Sequence, residues 1–405
     1  MMNRLYPLWR SPALDMAVAL IALIYVVRIA EMLPSRTFSY DFNHYYVTSR
    51  LLLDGQNPYR TPLASESEKY GFEHTKMIPV ATSTPLSLWL LTPLAMLLPR
   101  PAFWIWVGME AISLGAIFWL TKRLLQGQLT PRGWRFLCAG FLCSSPLLLH
   151  FMYSPEDLML GAVFLAAYAW HKNGHDNRAC WAVMLAGLVK VYPLIILPWF
   201  VWRSKGPAWK RLRNAAVLLL GAGAITLVTG LSMWMDWVHI AIPIIRWWSV
   251  GHTFNFTLPS FIINLGQVLQ SGTASVQPSG WWWAAGGGVA LFAILAVYAY
   301  CTRIKGDEDL QFALVCVGML LVYARAYYYV HLIFPVGLAA ARLSASISWR
   351  RTLLFAALLI AMDSQGPWDK SFWGGSPLVM TLLNYVPLYG LSGFCFFLAR
   401  ERRRE

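Results

Sequence analysis

The chain has 405 residues, 58% of them hydrophobic and only 13% charged, and its mean hydropathy is +0.50. A water-soluble domain could not bury that much apolar surface, so the composition predicts an all-α integral membrane protein. The formal net charge of +14 would suit nucleic acid, but the basic residues cluster between apolar segments, as a membrane topology requires. This distribution argues against nucleic acid as a partner.

Apolar runs recur along the whole chain. The runs at 14–33, 102–121, 281–302 and 378–399 reach about 20 residues, which matches the roughly 30 Å thickness of the hydrocarbon core. Others, such as 192–203, are shorter than a full crossing, which indicates that some helices end at a water-accessible cavity. We expect about twelve membrane-spanning helices.

Positive charge predicts the orientation of a single polytopic domain, residues 1–405. About two thirds of the 33 basic residues fall in alternate connections, and the positive-inside rule assigns those connections and both termini to the cytoplasm. The first apolar run is too long for a signal-peptide core, so we expect it to remain as the first helix. Two large loops, 34–100 and 234–280, then face outward. The first carries Tyr45, Leu51 and other apolar residues at helix-like spacing, so part of it should lie along the membrane surface. Residues 85–98 are interpreted as a re-entrant or interfacial helix, because a full crossing there would invert every later loop.

Residues 40–46, just after the first run, combine one carboxylate with several aromatic rings. Asp41 is ionised at neutral pH and could accept a proton from an attacking hydroxyl, while Tyr45 and its neighbours could stack on a sugar. The same aspartate could cap a helix that begins at Phe42, since Asp is favoured at that position. The residues alone leave both roles open.

Three further side chains are predicted to lie at the outer ends of their helices, on the same side of the membrane as Asp41: Lys190, Arg325 and His331. Lys190 stands in an apolar stretch that Pro193 interrupts, where an ammonium either binds an anionic headgroup or simply reaches the interface. Arg325 and His331 flank a run of tyrosines; arginine can bind phosphate through two hydrogen bonds, and histidine can add another or a proton. An aromatic interfacial belt would explain the tyrosines but not the cations among them.

Other polar residues have simpler interpretations. Glu156 and Asp157 follow an apolar run on the outer side, where either could cap the next helix or contact a substrate hydroxyl. Arg28 and Glu31 are one turn apart and predict an ion pair, whereas Glu110 has no partner that the sequence reveals. The six cysteines show no metal or disulfide spacing, and no nucleotide-binding, zinc-helix or serine-nucleophile motif is present. We therefore expect neither a cofactor nor a metal.

The order of the motifs between about 40 and 335 resembles the C-type membrane glycosyltransferases that use polyprenyl-phosphate donors, most closely glycosyltransferase family 87, the mannosyltransferase-like group. Two turns depart from the family pattern, at 83–85 and 154–157. The matching elements are Asp41-Phe42 with Tyr45-Tyr46, Leu52-Leu53, Gly55 and Asn57-Pro58-Tyr59; Pro85-Leu86 with Thr92-Pro93-Leu94-Ala95; Ala186-Gly187 with Lys190 and Pro193; and Asn255-Phe256-Thr257-Leu258.

The resemblance implies the C-type superfold and inverting sugar transfer at the outer face of a bacterial plasma membrane. It implies a polyprenyl-phosphate sugar as donor, with mannose expected, a glycan or glycolipid acceptor of the cell envelope, and Asp41 as the general base. Lys190, Arg325 and His331 are expected to stabilise the leaving phosphate without a metal. The expected substrate contacts are His44, Tyr45, Asn57, Glu156, Asp157, Asn255 and Tyr328.

Two other functions compete with this interpretation. A transporter or flippase of lipid-linked sugars would share the many spans, but carriers usually show repeated halves and binding groups near the bilayer midplane. Here the halves differ, and the polar groups collect at one face. A noncatalytic relative that only binds lipid-linked glycan stays open because of the altered turns at Ser83 and Ser154.

Overall fold

All regular secondary structure in the described part of this computed structural model is helical, and that part contains no strand. It covers residues 11–35, 40–72, 79–153, 155–251, 255–271, 280–304, 306–323, 326–346, 348–364 and 376–400. The α-helices are α1 Pro12–Ser35, α2 Tyr40–Leu53, α3 Leu63–Lys69, α4 Pro85–Ala95, α5 Pro99–Leu124, α6 Pro131–Leu142, α7 Ser145–Tyr153, α8 Asp157–Lys172, α9 Asp176–Val189, α10 Leu197–Arg203, α11 Ala208–Val228, α12 Leu231–Asp236, α13 Ile242–Gly251, α14 Leu258–Ser271, α15 Gly280–Arg303, α16 Glu308–Val322, α17 Ile333–Ser346, α18 Trp349–Asp363, α19 Pro377–Asn384 and α20 Val386–Arg400.

Four of these helices are long and apolar enough to cross a membrane: α1, α5, α11 and α15. Two bent pairs, α6 with α7 and α19 with α20, turn by 46° and 43° and raise the number to six if each pair forms one span. The membrane class and the all-α architecture predicted from composition are therefore confirmed. The twelve-span count and the loop assignments stay predictions.

Some of the shorter expected spans are interrupted helices. Residues 192–203 form a 3-10 turn at Tyr192–Ile195 and a seven-residue helix, α10. Pro193 lies at the start of the turn and Pro198 at the start of the helix, and a proline is tolerated at these positions but not in a continuous helix. Helix α10 extends over about 10 Å, so it cannot cross a bilayer by itself.

Helix α16 lies at the centre of the main apolar core. Every residue from Asp309 to Leu321 is buried, as expected for a helix that is covered on all sides. Tyr168 of α8 stacks on Phe312 of α16, with ring centroids 4.1 Å apart and planes 8° apart. This packing holds α8, whose two ends carry polar side chains, against a helix that is buried along most of its length.

Helix α2 lies inside the protein, whereas the sequence predicted that part of the first loop would lie along the membrane surface. All residues from 42 to 49 are buried. The apolar face packs on α5, where the ring centroids of Phe42 and Phe103 are 5.3 Å apart and those of Tyr45 and Trp106 are 5.6 Å apart. The polar face of α2 is covered as well, which a hydrophobic pattern cannot reveal.

Candidate functional site

Lys190 follows the last residue of helix α9, and its side chain extends towards the start of α8. Lys190 is the last residue to donate a helical hydrogen bond, from its N–H to the Ala186 carbonyl at 2.9 Å, and its own backbone is extended. The chain then reverses, and Leu194 packs so closely over Gly187 that a Cβ at position 187 would overlap the leucine side chain. The close approach of this turn thus depends on the absence of a side chain at Gly187.

The Lys190 ammonium contacts two carboxylates. Its Nζ atom lies 3.1 Å from Asp157 Oδ2 and 3.4 Å from Glu156 Oε1. The Asp157 side chain is fully buried, and those of Glu156 and Lys190 are 10% and 14% exposed. A buried carboxylate without a cation would be costly, so the contact with Lys190 stabilises the buried Asp157 carboxylate.

Tyr192 and His331 are joined to these charged side chains by hydrogen bonds. The Tyr192 hydroxyl donates to Asp157 Oδ1 at 2.6 Å and lies 2.8 Å from His331 Nε2. Because the hydroxyl proton points to the carboxylate, a neutral His331 would donate from Nε2 to the hydroxyl oxygen. The side chains of Tyr45, Glu156, Asp157, Lys190, Tyr192 and His331 are called the Lys190 cluster below.

Helix α2 joins the cluster through Tyr45, whose hydroxyl donates to Glu156 Oε2. Asp41 lies four residues before Tyr45, and residues at this spacing are neighbours on one helix face. The helix begins at Tyr40, so Asp41 is in the first turn and is not the cap of a helix that starts at Phe42. A carboxylate in the first turn is favoured by the helix dipole.

Two of the predicted substrate residues have partners outside the cluster. His44 Nε2 accepts a hydrogen bond from the Thr82 N–H at 3.1 Å. Asn57 Nδ2 donates to Asp236 at 2.7 Å. Asn255 is buried just before α14. Arg325 lies outside the described residues, and for Tyr328 the structure describes the backbone but not the side chain.

The segment 82–84 connects these groups, although the sequence marked it only as a departure from the family pattern. The Trp237 indole donates to the Thr82 carbonyl at 3.0 Å, and the Tyr59 hydroxyl donates to the Ser83 carbonyl at 2.7 Å. The Thr84 hydroxyl contacts the carbonyl oxygens of Leu188 and Val189 at 2.6 and 2.8 Å, next to Lys190. The 82–84 segment is therefore anchored directly on the end of α9.

Comparison with protein families identifies the chain. The family model of glycosyltransferase family 87 matches residues 82–326, which is more than half of the sequence. The chain belongs to glycosyltransferase family 87. No curated protein and no solved structure matches it. Family 87 membership makes the protein a glycosyltransferase, and the C-type superfold is consistent with the family.

The family match and the cluster overlap only in part. The matched residues include Glu156, Asp157 and Lys190, whereas Asp41 lies before the match and His331 lies after it. The assignment of these two residues rests on the motif order and on their position beside the family 87 segment. Their roles, like those of the other site residues, stay predictions.

His150 and Glu110 form a buried pair next to the cluster. The only indication of this pair in the sequence was the isolated charge of Glu110. The His150 Nε2 atom lies 3.0 Å from Glu110 Oε1, and both side chains are fully buried. Glu110 also hydrogen-bonds to Trp106, whose ring packs on Tyr45. An acid in an apolar run predicts a functional or paired group, but a partner 40 residues away could not be named from sequence.

The predicted pair of Arg28 and Glu31 does form, at 3.7 Å.

The segments 34–100 and 234–280 meet at Asp236. Its carboxylate accepts hydrogen bonds from the Arg60 guanidinium at 2.7 and 2.9 Å and from the Asn57 amide. The hydrogen bond from Arg60 lowers the pKa of Asp236 from its usual value. This contact links the Asn57-Pro58-Tyr59 motif to α12.

Among the described residues no group of three or more His, Cys, Asp or Glu side chains is arranged to hold a metal ion. Metal independence stays a prediction.

Proposed function

We propose that this family 87 enzyme transfers a sugar from a polyprenyl-phosphate donor to a glycan or glycolipid on the extracytoplasmic face of a bacterial plasma membrane, with mannose as the first candidate sugar. The observation that supports this most directly is the meeting of α2, α8 and α9 at the Lys190 cluster. Through Tyr45, the helix face that carries Asp41 reaches the same group of side chains as Lys190 and His331.

In the proposed reaction, Asp41 accepts the proton of an acceptor hydroxyl as its oxygen attacks the anomeric carbon of the donor sugar. The bond between that carbon and the phosphate oxygen breaks on the opposite side, so the configuration inverts. The bonding electrons leave with the polyprenyl phosphate. Lys190, His331 and Arg325 offset the charge that develops on this leaving group.

In this proposal Glu156 and Asp157 bind the sugar or position Lys190 and take no part in proton transfer. They outnumber the one ammonium that they share, and carboxylate oxygens are good acceptors for sugar hydroxyls. Asp157 is fully buried and holds Lys190, whereas the 10% exposed Glu156 is the better candidate for a direct sugar contact. His44 and Asn57 would then shape the pocket through the 82–84 segment and Asp236.

The proposed orientation in the membrane is supported by the distribution of charged residues between the two ends of the helices. The cations that the positive-inside rule assigns to the cytoplasm, including Lys172, Arg203 and Arg342, gather around the start of α16. The Lys190 cluster lies at the other end of α8, a distance of about 24 Å for 16 residues. Twelve spans with both termini inside would place that cluster outside.

The decisive experiment is Asp41→Asn in detergent-purified protein supplied with a polyprenyl-phosphate sugar. Loss of a general base should lower the rate of sugar transfer by about 10²–10⁴-fold, while the elution profile and thermal unfolding stay those of the parent. Asp54→Asn is the matched control, because Asp54 follows the same helix but is exposed and pairs with Arg50. Undiminished transfer by Asp41→Asn would exclude the base assignment. A protein that moves lipid-linked sugar across vesicles but transfers none in detergent would be a carrier instead.

A further inference from the structure

A polar cavity of about 410 Å³ lies at the opposite end of α9 from Lys190. The start of α9, the turn at 204–207 and the first turns of α11 form its walls. Two hydrogen bonds hold these walls together: the Lys205 N–H donates to Asp176 at 2.7 Å, and the Asn214 amide donates to Asn177 at 2.8 Å. The volume is in the range of small-ligand sites.

Cationic side chains dominate the lining of this cavity. Asp176 is the one carboxylate among the lining residues, and it is already bonded to the Lys205 N–H and to His171. Within the described part of the chain, none of the lining cations has a carboxylate oxygen within 4.0 Å. They are Arg178, Lys205, Lys210 and Arg213.

Other cations at the same end of the protein are paired. Lys172 lies 3.1 Å from Asp309, Arg203 lies 2.6 Å from Glu308, and Arg342 lies 2.7 Å from Asp307. These pairs show that acids neutralise several cations at this end, whereas the cavity brings together four cations that have no such partner among the described residues. A concave surface with charge of one sign attracts ligands of the opposite sign.

An apolar helix surface continues from the cavity. Helix α11 is long and apolar enough to span a membrane, and the side chains of Leu219 and Leu220 are 69% and 74% exposed. Trp209 is exposed near the start of α11, with Arg213 Cζ 5.4 Å and Lys210 Nζ 5.8 Å from its ring. An exposed tryptophan beside cations is typical of the membrane interface.

We propose that this cavity binds the headgroup of an anionic phospholipid whose acyl chains lie along α11. A free phosphate ion would use the cations alone, whereas a phospholipid would use both the cations and the adjoining apolar surface. Each basic side chain near an anionic headgroup should strengthen binding about fivefold. The site is separate from the Lys190 cluster, and its ligand takes no part in sugar transfer.

The test is thermal unfolding of the full-length protein in detergent with equal amounts of phosphatidylglycerol or phosphatidylcholine, or with soluble glycerol phosphate. Phosphatidylglycerol should raise Tm, and the other two should not. Arg178→Gln should weaken the apparent affinity about fivefold. The combined variant Arg178→Gln, Lys205→Gln, Lys210→Gln and Arg213→Gln should lose the shift. Arg350→Gln is the control, because Arg350 also lies beside an exposed tryptophan at the start of an apolar helix but is not part of the cavity.

An equal shift with phosphatidylcholine, or a full shift that survives in the combined variant, would overturn the proposal. A full shift with glycerol phosphate would show a site for a free anion and not for a lipid. If the combined variant does not fold, a phosphatidylglycerol with a photoactivatable headgroup, added to the unchanged protein, gives an independent answer. The label should map to peptides that contain 174–178 or 204–214, and labelling confined to other peptides contradicts the site.

Discussion

Helix α8 carries a group of polar side chains at each end, and the two groups are organised differently. At the end near Lys172, each acid has a different closest cationic or histidine partner: Asp309 with Lys172, Glu308 with Arg203, Asp307 with Arg342 and Asp176 with His171. His171 also lies 3.9 Å from Glu308, and the Tyr168 hydroxyl donates to Asp309. At the other end, Glu156 and Asp157 share Lys190, and their remaining partners are the hydroxyls of Tyr45 and Tyr192.

This difference separates structural charge from charge that is available to a substrate. A separate close partner for each acid leaves little to offer a ligand. At the Asp157 end, two carboxylates share one ammonium, and their other partners are hydroxyls that can exchange hydrogen bonds with an incoming sugar. The comparison therefore predicts different results for matched substitutions at the two ends.

The largest contrast is expected between Lys190→Met and Lys172→Met. Removal of Lys190 leaves the fully buried Asp157 without its cation, which should lower the free energy of unfolding by about 3–5 kcal/mol and abolish sugar transfer. Lys172 is 40% exposed, so its removal should cost about 1 kcal/mol or less and preserve transfer. Denaturant titration and a transfer assay measure the two effects.

A second substitution distinguishes stability from function at Lys190. Asp157→Asn in the Lys190→Met protein removes the unpaired charge, so the free energy of unfolding should recover in part. Sugar transfer should not recover, because the proposed phosphate contact is still missing. If Lys190→Met is no less stable than Lys172→Met, the two ends of α8 do not differ in the way described.

Acid should weaken the connection between α2 and the 82–84 segment. Burial lowers the pKa of His44 to about 4, below the usual value of about 6.5. The folded protein therefore takes up this proton less readily than the unfolded chain, and stability that is fully present above about pH 6.5 is lost as the pH falls towards 4. The loss should reach about 3 kcal/mol.

His44→Gln keeps an acceptor for the Thr82 N–H but cannot titrate, so its Tm should fall less between pH 6.5 and 4. Thermal unfolding over this pH range makes the comparison, and His239→Gln, at an exposed histidine, is the control. Identical acid responses in His44→Gln and the parent would contradict the role given to His44.

The smallest expected contrast is between Tyr192→Phe and Tyr168→Phe. Each change removes a hydroxyl that donates to an acid, Asp157 or Asp309, so both variants should lose about 1.5–3 kcal/mol of stability. Only Tyr192 also contacts His331, so Tyr192→Phe alone should slow sugar transfer. Chemical denaturation and initial rates test this, and equal loss of transfer in both variants would count against a local role of the Tyr192 hydroxyl.

Sequence reasoning was strongest where a single residue contradicts its surroundings. Pro193 indicated a break between two short helices beside the lone Lys190, and the structure has that break. The composition indicated helices in a membrane, whereas the role of Lys190 stays a prediction. The partners of Lys190 were harder to predict, because Glu156 and Asp157 are more than 30 residues away and also suited helix capping. No capping bond from the Glu156 side chain forms.

The burial of α2 could not be predicted for a related reason. Its apolar spacing is equally compatible with a helix at the membrane surface and with one covered on its polar face by other segments. That cover comes from His44 bonded to Thr82 and from Ser49 bonded to the Leu88 carbonyl. Such contacts depend on the tertiary fold, and local periodicity carries no information about them.

The contact of Leu194 with Gly187 has a consequence for how the proposed active site could vary. A larger residue at position 187 would overlap the Leu194 side chain, and if the returning chain moved to relieve this overlap, the ammonium three residues later would move with no change in charge. Enzymes that differ at this glycine could therefore differ in the reach of their lysine, and hence in the size of the donor they accept, while every reactive group stays the same.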